Sequence, residues 1–211
     1  MILIGQFDSP FVRRVAVTLH TYRIAFERQP YSVFSNIGHV RTYNPLVRVP
    51  TLILDDGEVL IDSSLIIEHL DELVGASKAL IHADGAERRK VLQLTALGHG
   101  VAEKVIQLFF ERYFHEPHQR SAAFEGRCVD QIQSALGILE ARCREHWFFG
   151  DRISHADIMV GCMLGHMQLR VPDVFAEQKF AQLVAFQQRC ELNRAFAAAR
   201  IGANETIPSR S

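Results

Sequence analysis

Short β-like runs alternate with helical ones in the first third of the chain, and the rest carries helical spacing only. Ile2, Leu3 and Ile4 form an apolar run that ends at Gly5. Ser9-Pro10 then opens a helical stretch to about Tyr22, with serine as a natural cap and proline where a missing N–H costs nothing. A second β-like run covers about Phe26 to Val33, and residues 35–50 read as loop with one helical turn around His39 to Tyr43. The sharpest signal is a hairpin: Thr51 to Leu54, the turn Asp55-Asp56-Gly57, then Glu58 to Ile61. Asp62-Ser63-Ser64 opens a helix that expects Leu65, Ile66, Leu70 and Leu73 on one face and stops at Gly75.

From Ala76 to Gly85 the chain is small, polar and glycine-containing, which suits a linker. Beyond it, Val91, Leu94, Val101, Val105 and Phe109 mark one long helix, and Val129, Ile132, Leu136, Leu139 and Cys143 a second. Further helices are expected from Ser154 to about Leu169 and from Ala176 to about Ala199, with a polar, frayed stretch from Gly202. The expected plan is α/β plus all-α: a β-α-β-(α)-β-β-α domain over residues 1–76, then an all-helical domain over 85–211.

Composition narrows the function classes. With 23 Lys+Arg against 24 Asp+Glu in 211 residues, and 48% apolar residues, the chain is globular and nearly neutral. It has no basic footprint for nucleic acid or an anionic membrane surface, so small molecules are the expected partners. No apolar stretch approaches the roughly 20 residues that span a bilayer, and the N-terminus lacks the basic flank of a signal peptide; a cytoplasmic protein is expected. Cys128, Cys143, Cys162 and Cys190 show no metal-like spacing and suggest no disulfide framework. His115-Glu116-Pro117-His118 offers no third ligand, so no metal is expected.

Three places could carry chemistry, and each also has a purely structural reading. Ser9 sits where a helix presents free N–H groups and partial positive charge; it is either an ordinary N-cap or a donor to a bound anion such as a thiolate. Arg13 and Arg14, one turn in, read better as ion-pairing residues toward the second half of the chain than as ligands. Val49-Pro50 immediately precedes a strand; as a cis bond it would turn the Val49 backbone toward an extended peptide ligand, as a trans bond it would merely admit the strand. Asp62-Ser63 is a second helix start, able to cap or to hold an α-amino acid end, the aspartate taking ammonium and the serine taking carboxylate.

Together, the first strand, Ser9-Pro10-Phe11-Val12-Arg13-Arg14, Asn44-Pro45 through Val49-Pro50-Thr51-Leu52, the Asp-Asp-Gly hairpin and Asp62-Ser63 closely resemble the N-terminal domain of cytosolic glutathione S-transferases. The resemblance continues through Gly150-Asp151-Arg152-Ile153-Ser154-His155-Ala156-Asp157-Ile158, which looks like the family's helix-capping segment, with Ser154 and Asp157 forming a capping box and Ile153 and Ile158 a staple. It implies a thioredoxin-like first domain that binds glutathione, a homodimer, and no cofactor beyond glutathione as co-substrate. Carried over by position, Ser9 would hold the thiol, Val49 would pair with the cysteinyl backbone before a cis-Pro50, and Asp62 with Ser63 would hold the γ-glutamyl end. Val33 and Arg48 would lie near the glycyl end; Phe7, Phe11, Phe109 and Tyr113 are candidates for the electrophile pocket, each with an alternative as simple core.

Moving a thiol pKa from about 8.5 to about 6.5 requires roughly 2.7 kcal/mol. A charge-assisted hydrogen bond and a helix end can supply it. The chain departs from many bacterial relatives in having no cysteine before Cys128, which argues against mixed-disulfide chemistry at this site, and it lacks an early tyrosine. The expected function is attack of activated glutathione on small electrophiles or peroxides. The alternatives are a binding or regulatory protein that keeps the fold without turnover, and a glutathione-dependent isomerase or dehalogenase.

Overall fold

In the computed structural model, which describes residues 1–82 and 84–205, the strands are short and the helices carry most of the chain. Strand β1 (Ile2–Ile4) leads into helix α1 (Pro10–Tyr22), and β2 (Glu27–Gln29) returns parallel to β1. The β-like run expected to Val33 stops after three residues, because Pro30 follows Gln29 and cannot donate to a ladder. Helix α2 (Ile37–Tyr43) is followed by the hairpin β3 (Thr51–Ile53) and β4 (Val59–Leu60), and then by α3 (Ser63–Val74). The sheet order is β2-β1-β3-β4, with β3 antiparallel to both its neighbours.

Beyond the sheet come α4 (Gly85–Phe114), α5 (Ala122–Arg142), α6 (His155–Arg170), α7 (Ala181–Leu192) and α8 (Arg194–Ala198). The fold class is the expected one, a small mixed α/β domain and a helical region. The division between compact units differs from a single cut near residue 80: residues before Asp84 cluster with the chain from Glu191 on, and Asp84–Cys190 forms the other unit. The reason lies in α1. Buried Arg13 pairs with Glu191 at 2.8 Å, donates through Nε to the Ala199 carbonyl at 3.0 Å, and lies over the ring of Phe196. The ion-pairing reading of Arg13 therefore holds, and it draws residues expected in the second domain onto the first.

Other expectations shift for equally local reasons. On α3 the buried stripe is Ser63, Ile66, Ile67 and Leu70, whereas Leu65 and Leu73 are 47% and 54% exposed. At 3.6 residues per turn Leu65 points away from that stripe and Leu73 sits at its edge. The segment after Gly75 is laid down rather than loose: Ala79, Leu80 and Ile81 are buried, and the Leu80 N–H donates to the Tyr22 hydroxyl at 2.8 Å. The single helix expected over 176–199 is broken at Asn193, whose side chain accepts from the Ala195 N–H at 2.9 Å and caps a new helix. The stretch from Gly202 is not frayed as far as Glu205, which is buried; the rest of that expectation lies outside the described residues.

Within the second unit, α4 packs on α5 and α6. A Cβ at Gly98 would lie 3.1 Å from Val160 Cγ2, so the glycine lets α4 and α6 approach closely. The capping box at the start of α6 is present: Asp157 accepts from the Ser154 N–H at 2.8 Å, the Ser154 hydroxyl at 2.6 Å and the Phe148 N–H at 2.8 Å. Burial still raises the Asp157 pKa, against the pull of these donors. No described helix is long and apolar enough to cross a membrane.

Candidate functional site

The strand register decides which candidate residues can meet. Ile4, the last residue of β1, is opposite Gln29 at the end of parallel β2 and opposite Thr51 at the start of antiparallel β3. Leu60 at the end of β4 is opposite Leu52. The chain leaving β1 toward Ser9, the chain leaving β2 toward Val33, the chain entering β3 through Arg48-Val49-Pro50, and the chain leaving β4 toward Asp62-Ser63 therefore occupy one end of the sheet. Both α1 and α3 begin there.

Gly5 fixes the tightest of these junctions. Its φ is +131°, and a Cβ on it would stand 2.5 Å from Val12 Cγ2 and 3.0 Å from Val49 Cβ. Only glycine admits both the conformation and the approach. Val49 thereby touches the start of the loop that carries Ser9. The Val49-Pro50 bond is cis. The loop before it is held by buried Asn44, whose side chain donates to the Arg48 carbonyl at 3.1 Å and accepts from the Leu46 N–H at 3.0 Å.

Ser9 is half-buried and caps α1, but its hydroxyl lies 3.4 Å from the Val12 N–H, long for a hydrogen bond. Asp62 is exposed and caps α3 through the Ser64 N–H at 2.8 Å; Ser63 is buried at the first helical position, where an N–H has no intrahelical acceptor. Val33 is half-buried in the turn after β2, and Arg48 is exposed. In the same turn, buried Ser32 accepts from the N–H groups of Phe34 and Ser35 at 3.1 and 3.3 Å.

The four pocket candidates fall into two pairs. Phe7 and Phe11 are buried in the first unit, 4% and 6% exposed, and the Arg28 guanidinium lies 3.4 Å over the centroid of the Phe7 ring. Phe109 and Tyr113 are half-buried on α4 in the second unit, stacked with centroids 5.4 Å apart, and Arg170 lies over Phe109. Three roles at the sheet end went unread in the sequence: Gly5 as a point of close approach, Asn44 as a side chain that holds the loop, and Glu205 as a buried carboxylate. Gly5 could have been found, since glycine directly after a strand often marks a close backbone approach.

This arrangement has counterparts. The sequence pattern of the glutathione S-transferase N-terminal domain matches residues 3–78, and that of the C-terminal domain matches residues 105–189. The chain belongs to the cytosolic glutathione S-transferase superfamily. Among its superfamily relatives, an uncharacterized GST-like protein YibF of Escherichia coli is 28% identical over 173 residues, 81% of this chain and 83% of that one. A glutathione S-transferase of Methylobacterium radiotolerans, solved in complex with glutathione sulfonate, superposes with a TM-score of 0.89 at 26% identity over 100% of this chain and 98% of that one. A glutathione transferase family member of Pseudomonas fluorescens with bound glutathione gives 0.83 at 30% identity, covering 96% and 99%. Among the described residues no group of three His, Cys, Asp or Glu side chains is placed to hold a metal ion. All four cysteines are buried free thiols; burial pushes Cys143 up to about 12.

Proposed function

We propose that this protein is a glutathione transferase that uses Ser9 to activate the glutathione thiol for attack on small electrophiles or peroxides. One observation carries the reading: the register brings Ser9, the Val49-Pro50 turn and Asp62-Ser63 to a single end of the sheet, where two helices begin. Glutathione presents a group for each of them: a thiol for Ser9, a cysteinyl amide for Val49 and a γ-glutamyl amino acid end for Asp62-Ser63. The superfamily relatives solved with glutathione or glutathione sulfonate support the same ligand.

In this reading the Asp62 carboxylate takes the ligand's ammonium group, and Ser63 gives its N–H and hydroxyl to the γ-glutamyl carboxylate. The Val49 N–H and C=O pair with the cysteinyl backbone as a short strand addition. Arg48, with Val33 beside the path, faces the glycyl carboxylate. The thiol loses its proton to solvent, and the sulfur anion accepts a hydrogen bond from the Ser9 hydroxyl while the α1 N-terminus adds positive potential. The thiolate then attacks the electrophile, and the leaving group departs with its electron pair.

Phe7 and Phe11, in the same unit as Ser9, are the proposed apolar groups on the electrophile's side of the thiol. The protein is further proposed to act as a homodimer, since Leu65 and Leu73 leave apolar surface exposed on the outer side of α3. Calorimetric titration with glutathione on wild type and Ser63→Ala tests the binding half. Wild type should bind at or below millimolar concentration, and the variant should bind about tenfold more weakly for loss of one hydrogen bond to a charged group. Absence of wild-type binding would refute the reading and favour a fold kept for partner recognition.

A further inference from the structure

The loop that carries Ser9 is held by a residue 198 positions further along the chain. Glu205 is buried; its Oε2 accepts from the Phe7 N–H at 3.0 Å and from the Gly202 N–H at 3.2 Å, and its Oε1 pairs with the Arg28 guanidinium. Arg28 in turn covers the Phe7 ring, so a single ion pair grips Phe7 at backbone and side chain. Asp8 adds its negative charge toward the same guanidinium. Phe7 lies inside the turn closed by the Ser9 N–H to the Gln6 carbonyl at 3.2 Å. The last sheet-type bond before this turn is Gly5 N–H to the Gln29 carbonyl, at 2.9 Å. The Ser9 cap bond is too long, at 3.4 Å, to fix the hydroxyl by itself.

We infer that Glu205 is a positioning residue for the thiol site: its buried carboxylate, bonded to the Phe7 N–H and Arg28, holds the turn that aims the Ser9 hydroxyl. The inference rests on Ser9 acting as the thiol donor. It also gives the segment after α8 a role in the chemistry that its polar sequence did not announce. Without the carboxylate, the Phe7 N–H loses its acceptor, Arg28 loses its partner, and the Gln6–Ser9 turn is free to reorient. The thiolate would then lose its best-aligned donor while the groups holding the rest of glutathione stay in place.

The test uses the full chain as wild type, Glu205→Gln and Glu205→Leu, with glutathione as the probe. Ultraviolet absorbance against pH reads the bound-thiol pKa, calorimetry the glutathione Kd, and amide exchange the Phe7 N–H. In Glu205→Leu the Phe7 amide should exchange at least about tenfold faster. The bound thiol should titrate about one unit higher, so that thiolate at a pH below both values drops about tenfold. The Kd measured below both thiol pKa values, where glutathione binds as the thiol, should change less than about threefold, because the γ-glutamyl and cysteinyl contacts remain. Glu205→Gln, which keeps an acceptor for Phe7 but no charge for Arg28, should fall between. A general loss of folded protein would reduce the bound fraction without moving the thiol titration.

A wild-type thiol titration in Glu205→Leu would overturn the inference while leaving the transferase reading intact. Should that variant not fold, Glu205→Gln decides alone: a raised thiol pKa supports the inference and an unchanged one overturns it. If wild type binds glutathione without lowering its thiol pKa, the Ser9 assignment falls and this inference falls with it.

Discussion

Replacing Ser9 by alanine separates the two jobs its hydroxyl could do. As a cap it accepts one hydrogen bond from the Val12 N–H, at 3.4 Å, beyond the usual 2.7–3.2 Å range. Loss of such a bond belongs at the low end for N-caps, about 0.5 kcal/mol. As the donor to a thiolate, the same hydroxyl makes a bond to a charged acceptor worth about 1.5–3 kcal/mol. At 1.36 kcal/mol per unit, that is a rise of about 1–2 units in the bound-thiol pKa. Starting from a thiol near 6.5, the thiolate fraction at pH 7 would fall from about three quarters to between a quarter and a few per cent, a loss of roughly 3- to 25-fold.

The assay is a pair of measurements on wild type and Ser9→Ala. Urea denaturation reads the cap, and conjugation to a dinitrochlorobenzene acceptor across pH reads the thiolate. The stability loss should stay below about 1 kcal/mol. The rate gap should be wide at pH 7 and close as the pH rises past the mutant's thiol pKa, since both proteins then carry full thiolate. Identical thiol titrations in the two proteins would remove Ser9 from the chemistry. A stability loss above about 2 kcal/mol with unchanged titration would make it a structural serine.

Three further outcomes follow from the same geometry. Asp157→Ala should cost about 2–5 kcal/mol in denaturant unfolding, because two backbone N–H groups and the Ser154 hydroxyl lose their acceptor, partly offset by removal of a desolvated carboxylate. Because the folded pKa of Asp157 is raised, the native state holds the proton more tightly than the unfolded chain, so this group's contribution grows as the pH falls from the raised value toward the ordinary 3.8. The gap between wild type and variant should widen in that window; a narrowing gap would refute the assignment. Gly5→Ala should destabilise by at least about 2 kcal/mol through its clash with Val12 and its positive φ, whereas Gly100→Ala, in open space on α4, should be neutral or slightly stabilising in the same urea titration. The four buried cysteines should resist an aromatic disulfide reagent at pH 8 in the native protein and all react once it is unfolded. Fast native labelling of Cys143, held up at about 12, would contradict its burial.

Elements whose signals are local were legible in the sequence. Ser9-Pro10 starts α1, the Asp-Asp-Gly turn joins β3 to β4, and Ser154 with Asp157 forms its capping box, each because the bonding partners lie within a few residues. The cap-or-ligand choice at Ser9 and Asp62 stayed open, because the same hydroxyl or carboxylate serves either purpose. Nonlocal features were not legible. Leu65 and Leu73 read as core because apolar periodicity counts residues without knowing which stripe the sheet will cover. The break at Asn193 was hidden by continuous helical spacing on both sides, and Glu205 looked like one more polar residue near a tail. Its burial depends on Phe7 and Arg28, which no short window of sequence contains.

The grip of Arg13 on Glu191 and Ala199 also bears on how the protein is made on the ribosome. All of β1 to β4 and α1 to α3 emerge before Asp84, yet Glu191, Phe196 and Ala199, which hold Arg13, are encoded more than a hundred codons later. At about 5–20 residues per second, the nascent first unit waits on the order of ten seconds with that face of α1 uncovered. The first unit begun is therefore the last to be completed, and chaperone occupancy during that interval should track the exposed α1 surface rather than the helical segment being synthesised meanwhile.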